Sequence, residues 1–303
     1  MKIAVTGATG FVGSHLVTKL QQQNRRVLAL CRNKERGQKY FPATDFPGVE
    51  VMEYVAGQPG AWIEAIATCD AVVNLAGEPI ADQRWTPERK TLILESRSLG
   101  TAKLVEAINQ AQPRPQVLVS ASAVGYYGTS ETASFDETSP SGNDFLAGVC
   151  QAWEEAAKNV ADTRLVILRL GIVLGNGGVV AKMVPPFRLF AGGPIGSGKQ
   201  WLSWIHVDDL VEMICTAIDH PEISGIFNAT SPNPLRMADF CRNLGDVLGR
   251  PSWLPVPDFV LEMLLGDAAV VVLEGQQVLP KRFLDYGFNF KYPSVKQALA
   301  QFL

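Results

Sequence analysis

The segment best suited to chemistry is Thr6-Gly7-Ala8-Thr9-Gly10-Phe11-Val12-Gly13. Its three glycines permit a tight turn, close approach of the backbone to an anion, and close packing of a helix on a strand. A strand pattern, Lys2–Thr6, leads into it and a helical pattern, Phe11–Gln23, leads out. In that setting the unpaired amides and partial positive charge of the helix N-terminus suit a pyrophosphate, and the segment reads as a dinucleotide-binding turn. About 20 residues further on, a site for NAD carries Asp or Glu to bond the ribose 2′-hydroxyl. Here that place holds Arg32, with Lys34 and Arg36 beside it. A carboxylate would repel a 2′-phosphate, whereas a guanidinium can hold one through two hydrogen bonds. The expected cofactor is therefore NADP(H).

Groups able to move a proton are fewer. Of the three histidines, His206 stands in Trp204-Ile205-His206-Val207-Asp208-Asp209. It titrates near neutrality and is a candidate acid or base. The same segment also reads as a structural histidine, with Asp208 or Asp209 capping the helix that follows. Gly193-Pro194-Ile195-Gly196-Ser197-Gly198-Lys199-Gln200 falls one residue short of a phosphate-binding loop, because Gln200 replaces the hydroxyl that would bind Mg²⁺. It reads instead as a loop closing over a substrate, with Lys199 and Trp201 near the opening. Ser120 or Ser122 with His206 and Asp208 could suggest a hydrolase triad, but no G-x-S-x-G elbow surrounds either serine.

The elements that must position these groups alternate. Strand patterns at Lys2–Thr6, Arg26–Cys31, Val49–Tyr54, Ala71–Leu75, Gln116–Ser120 and Arg164–Arg169 are separated by helical patterns at Phe11–Gln23, Ala61–Ala67, Pro87–Gln110 and Phe145–Ala161. That alternation predicts an α/β fold, a Rossmann-type doubly wound parallel sheet. The strands are almost wholly apolar, as strands covered on both faces are. Residues 1–170 form the expected NADP-binding domain, its sheet completed by parts of 171–230. Residues 171–303 form a smaller α/β substrate lobe, which includes a C-terminal module over 251–303. Its further patterns are a strand at Ile226–Ala229 and helices at Arg236–Leu248, Pro257–Leu265 and Pro293–Leu303.

With 27 Lys and Arg against 30 Asp and Glu, the net charge of −3 leaves no basic excess for nucleic acid, and no Lys/Arg run suits a membrane surface. The five cysteines are odd in number, far apart and without a Cys-x-x-Cys pair, so neither a disulfide framework nor a zinc site is expected. With no leader pattern at the N-terminus, the expected location is the cytoplasm or another reducing compartment. The expected partner is a small-molecule substrate.

Together, the glycine turn, Asn74-Leu75-Ala76-Gly77, Ser120-Ala121-Ser122-Ala123-Val124-Gly125-Tyr126-Tyr127-Gly128 and the His206 segment resemble the extended, or atypical, short-chain dehydrogenase/reductase superfamily. Gly77-Glu78-Pro79-Ile80, Gly192–Gly198 and Leu273-Glu274-Gly275-Gln276 narrow the resemblance to its epimerase-family branch, over essentially the whole chain. The resemblance implies that Gly7, Thr9, Gly10, Phe11, Val12 and Gly13 hold the pyrophosphate and Arg32 the adenosine ribose phosphate. It further implies that Leu75, Ala76 and Gly77 pass under adenine and ribose, with Arg97 a further cofactor contact. Ser122 matches the superfamily's catalytic serine. The Tyr-x-x-x-Lys pair that accompanies it is missing, for the stretch from Asp144 to Glu154 contains neither residue, whichever of Phe145/Val149 or Leu146/Cys150 is aligned with it. The nearest phenols, Tyr126 and Tyr127, are the remaining proton-donor candidates. Two readings follow. One is an epimerase-like oxidoreductase of unusual active site, acting on a small polar molecule, with sugar derivatives among the candidates. The other is a non-catalytic NADP(H)-binding sensor.

Overall fold

The structure is a computed structural model describing all 303 residues. Why its strands are so apolar is visible in the first. In β1 (Lys2–Thr6), Ile3 and Val5 face one buried layer and Ala4 faces another. The next strand, β2 (Arg26–Cys31), repeats this, with Val27 and Ala29 on the first side and Leu28 and Leu30 on the second. Successive strand side chains point to opposite faces, so a sheet buried twice needs apolar residues at every position.

Walking along the chain, β3 (Val49–Glu53), β4 (Ala71–Asn74) and β5 (Val117–Ala123) extend the sheet, a short β6 (Ser134–Phe135) lies outside it, and β7 (Arg164–Leu170) returns. Three further short strands, β8 (Ile172–Leu174), β9 (Trp201–Leu202) and β10 (Trp204–His206), precede β11 (Gly225–Ala229), the seventh strand of the main sheet. The order is β11-β7-β5-β4-β1-β2-β3, with every pairing parallel. The order reverses between β1 and β4, and ligands of open α/β sheets bind at such a switch point, outside the carboxyl ends of the strands.

Helix α1 (Phe11–Gln22) buries Leu16, Val17 and Leu20 on the first face. Helices α2 (Lys34–Tyr40), α3 (Trp62–Ile66), α4 (Pro87–Gln110) and α5 (Phe145–Lys158) follow. On the opposite face, Trp62 and Ile66 of α3 pack with Leu104 and Ile108 of α4. Just past Arg32, where the sequence patterns give no helix, α2 begins, because Asn33 accepts the amide of Arg36 at 2.7 Å and caps it.

Helix α6 (Gly178–Arg188) runs through Pro185 and Pro186, in a stretch where the sequence patterns give no helix. Its Val180, Met183, Val184 and Phe187 enter a third core together with Trp204, Phe240 and Leu299. Burial there outweighs the backbone bonds the prolines remove. After it come α7 (Val207–Asp219), which joins α1 on the first face of the sheet, and α8 (Met237–Leu248). The C-terminal segment contributes α9 (Asp258–Leu265), α10 (Val270–Leu273), β13 (Gln277–Val278), α11 (Lys281–Tyr286) and α12 (Val295–Ala300), β12 being Leu235–Arg236. No helix is long and apolar enough to cross a membrane.

Candidate active site

At the carboxyl end of β1 the chain turns with Gly7 in the left-handed region, φ +66°, where a Cβ would lie 2.9 Å from the carbonyl oxygen of Leu75. A Cβ on Gly13 would lie 2.2 Å from the carbonyl oxygen of Gly7, so α1 starts against the turn at a distance only glycine permits. No side chain caps α1 at Gly10, which leaves the amides of its first turn for a ligand. The turn is braced from below. Thr6 donates to Asn74 Oδ1 at 2.8 Å and accepts the amides of Leu75 and Ala76 at 3.1 Å each. Asn74 in turn donates to Thr101 at 2.8 Å and to Ser120 at 3.3 Å. This buried seam ties β1, β4, β5 and α4 together under the turn.

Arg32, at the end of β2, is exposed, and its Nη1 donates to Glu78 at 2.5 Å. Arg89 shares the same carboxylate at 3.2 Å. Arg97 donates to the carbonyls of Ile93 and Glu78 at 3.1 and 2.9 Å and presses on Gly77, where a Cβ would meet its guanidinium at 3.1 Å. Burial lowers its pKa from the ordinary arginine value. The glycine cradle, the open α1 N-terminus and the exposed Arg32 fit a dinucleotide.

From this turn a cleft of about 630 Å³ runs past Val12, Leu75, Gly77 and Arg97 to the end of β5 and the face of α5. Of the four proton-transfer candidates, Ser122 alone lines it. Its hydroxyl already donates to Glu154 at 2.8 Å. Glu154 accepts two bonds from Arg169, at 2.7 and 2.8 Å, and both side chains are 2% exposed. Burial opposes the charge on Arg169, but the Glu154 carboxylate overrides it and holds the pKa above the ordinary value. Arg169 also donates to Tyr127 at 2.9 Å, and Tyr127 donates to Asn228 at 2.7 Å. Burial pushes the Tyr127 phenol up to about 12. Tyr126 lies beneath the guanidinium, 3.3 Å from ring centre to Cζ, and lines a separate groove on the outer side of α5. Both phenols thus stand behind the cleft wall.

His206 lies elsewhere. Its ring is fully buried, lies tilted against Tyr292 with centroids 4.0 Å apart, and accepts the amide of Asp208 at 3.1 Å as the N-cap of α7. The cap is therefore the histidine itself, while Asp209 accepts the amides of Lys291 and Tyr292 at 2.7 and 3.0 Å. Burial holds the His206 pKa below its usual range. On α5, Leu146 and Cys150 lie against Gly125 and line the cleft beside Ser122. Burial raises the Cys150 thiol to about 11. Trp201 lines the cleft and Lys199 does not.

Sequence reasoning did not find Glu154, Arg169 or Asn228. They sit on α5, β7 and β11, and no local spacing links them. It also missed Trp153, a cleft wall residue whose buried indole N–H has no partner.

Fold and turn together define a short-chain dehydrogenase/reductase with a nicotinamide-cofactor site. The chain belongs to the NAD dependent epimerase/dehydratase family, which matches residues 3–229, and a domain of unknown function, DUF1731, matches 256–302. It is 54% identical over 303 residues to "Epimerase family protein SDR39U1 homolog, chloroplastic" of Arabidopsis thaliana, covering 99% of this chain and 86% of that one. It is similar to the crystal structure of human epimerase family protein SDR39U1 (isoform 2) with NADPH, with a TM-score of 0.87, 35% identity, and 99% and 98% of the two chains covered. UDP-glucuronic acid 4-epimerase from Bacillus cereus, in complex with UDP-glucuronic acid and NAD, shares the fold with a TM-score of 0.79 at 17% identity, over 99% of this chain and 96% of that one.

Proposed function

We propose that the chain is an NADP(H)-dependent oxidoreductase that acts on a small molecule held between Ser122, α5 and the C-terminal segment. The observation carrying this reading is the continuity of the cleft, which runs from the cofactor turn at Val12 past Ser122 to a walled space between Phe145 and Val271. The volume lies within the range of small-molecule sites. A protein that only sensed the cofactor has no need of that second space.

NADP(H), when bound, supplies or takes a hydride. Gly7, Thr9, Gly10, Phe11, Val12 and Gly13 would hold its pyrophosphate, and Leu75, Ala76, Gly77 and Arg97 would flank the adenosine half. Arg32 would exchange Glu78 for the 2′-phosphate, an exchange supported by its exposure. The human relative solved with NADPH supports the same preference. Ser122 would touch the substrate. Its own proton is committed to Glu154, so Oγ offers the cleft lone pairs, which suit a donating substrate hydroxyl. A proton leaving that hydroxyl would pass to Oγ as the serine proton passes to Glu154. Tyr127 and Tyr126 are positioning residues that hold Arg169 against Glu154, and His206 positions α7. Five free, buried cysteines suit a reducing compartment such as the cytoplasm.

Fluorescence titration of the purified chain with NADPH should give saturable binding, and NADP⁺ should be reduced, raising the NADPH absorbance, in a panel of alcohols. Ser122→Ala should lower kcat by about a hundredfold, the lower range for a group that moves a proton, with NADPH affinity unchanged. Tight NADPH binding with no turnover across the panel would favour the second reading, a sensor. That reading draws on the face of α5 beside Ser122, which offers Leu146 and Cys150 and neither a tyrosine nor a lysine.

A further inference from the structure

The far half of the cleft is built for a different molecule from a sugar nucleotide. Ile80, Trp85, Phe145, Leu146 and Val149 make one wall, and Val270 and Val271 of α10 face the same space. Trp85 spends its indole N–H on the Ile80 carbonyl at 2.8 Å, which fixes the ring as an apolar surface. Polar groups around the space are already engaged with one another. Lys90 donates to Asp267 at 2.7 Å, Thr129 to Glu274 at 2.5 Å, and Ser203 to the Gln276 carbonyl at 2.7 Å. Asp144 caps α5 by accepting the amide of Ala147 at 2.9 Å, and Trp201 donates to the Glu131 carbonyl at 2.9 Å. Still without a protein partner are the buried Trp153 N–H and the side-chain amide of Gln276, two polar groups in a lining that is otherwise apolar or internally paired.

The charges lining the cleft are Lys90 and Arg97 against Asp144, Asp267 and Glu274, two positive and three negative. A nucleoside diphosphate brings two negative charges and would need cations freed from their present partners. A sugar ring brings several hydroxyls, each of which is costly to bury without a partner. An apolar molecule faces neither cost and gains from the area it removes from water.

We infer that the ligand of this half is an uncharged, largely apolar compound with a single hydroxyl, juxtaposed with Ser122 by the apolar faces of α5 and α10. The inference rests on the oxidoreductase reading for the orientation of that hydroxyl, and it differs from the small polar molecule, with sugar derivatives among the candidates, that the sequence suggests. The physical reason is that the lining comes from segments far apart in the chain, whose apolar faces become a common surface only in the fold.

The test is calorimetric titration of the full chain, free and loaded with NADPH, with 1-(2-naphthyl)ethanol and separately with UDP-glucose. The alcohol should give saturable heat and UDP-glucose none. Val271→Glu should weaken the alcohol by at least about tenfold, since a carboxylate must then be buried against it, and should leave NADPH binding unchanged, which also reports that the variant folds. No heat with the alcohol, or UDP-glucose binding as tightly, overturns the inference while leaving the cofactor reading intact. Absence of NADPH binding would instead remove the oxidoreductase reading, and the titrations of the free chain would still decide which ligand the cleft prefers.

Discussion

At the first βα turn a ligand meets backbone: Gly7 and Gly13 leave no room for a side chain, and α1 presents amides with no cap. Beyond Ser122 it meets side chains alone, with Phe145 and Val149 on α5 opposite Val270 and Val271 on α10. The two ends of the cleft also treat charge differently. At the cofactor end Arg32 is exposed and joined to Glu78 by a bridge open to solvent, which costs little to exchange. At the other end Glu154 and Arg169 are sealed behind the wall, where breaking the pair would strand a charge away from water. A backbone site depends on the turn and on glycine, whereas a side-chain site can vary without disturbing the sheet, and here the stretch from Asp144 to Glu154 holds neither tyrosine nor lysine.

This contrast can be tested by mutation. Glu154→Gln should destabilise the chain by about 3–5 kcal/mol in urea unfolding, because Arg169 would remain buried and charged. The double change Glu154→Leu with Arg169→Met should recover most of that. A single-variant cost below about 1 kcal/mol would mean that water reaches the pair and that the sealed end is not sealed. At the exposed end, Arg32→Asp should weaken NADPH by about 10–100-fold, the worth of a charged hydrogen bond, and NADH far less. Equal losses for both cofactors would remove the 2′-phosphate assignment. Gly13→Val should also weaken both cofactors, by about 5–150-fold, as the turn shifts to relieve about 1–3 kcal/mol of overlap. Unchanged affinity there would show that the turn does not carry the diphosphate.

The mildest effect concerns pH. Burial holds the folded pKa of His206 below its ordinary value, with Asp208, Lys291 and Gln301 its polar neighbours. Below the unfolded pKa of about 6.5 the unfolded chain then binds more protons than the folded one. The stability contributed by neutral His206 is complete above that pH and is lost as pH falls through the folded value. The urea midpoint should therefore drop between about pH 7.5 and pH 5.5, and His206→Asn, which keeps a capping side chain, should flatten that drop. An identical slope in the variant would exclude His206 as its source.

Much of the cofactor end was readable along the chain, since a turn, the strand before it and the helix after it are contiguous. Lys2–Thr6 and Pro87–Gln110 are observed with the bounds their patterns suggest, and the other main-sheet strands begin and end within a few residues of theirs. Local patterns misled where burial or a cap outweighed composition, as at Pro185 and Pro186 inside α6 and at the Asn33 cap of α2. His206 reads in sequence either as an acid or base or as a structural histidine beside a capping Asp208 or Asp209, and only its neighbours show that the histidine itself is the cap. Tyr126 and Tyr127 follow the serine strand directly, yet a one-turn 3₁₀ helix over Val124–Tyr127 carries both behind the cleft wall.

By itself the sequence determined the α/β class, the parallel sheet, the glycine turn and the absence of a Tyr-x-x-x-Lys pair, because each is written in neighbouring residues or in a short period. Tertiary structure alone decided that Ser122 donates its hydrogen bond to Glu154, that Arg169 closes that network through Tyr127, and that Phe145 and Val149 share a cleft with Val270 and Val271. Those properties belong to side chains brought together from β5, α5, β7, α10 and β11, and contact between distant segments leaves no mark in the spacing of either.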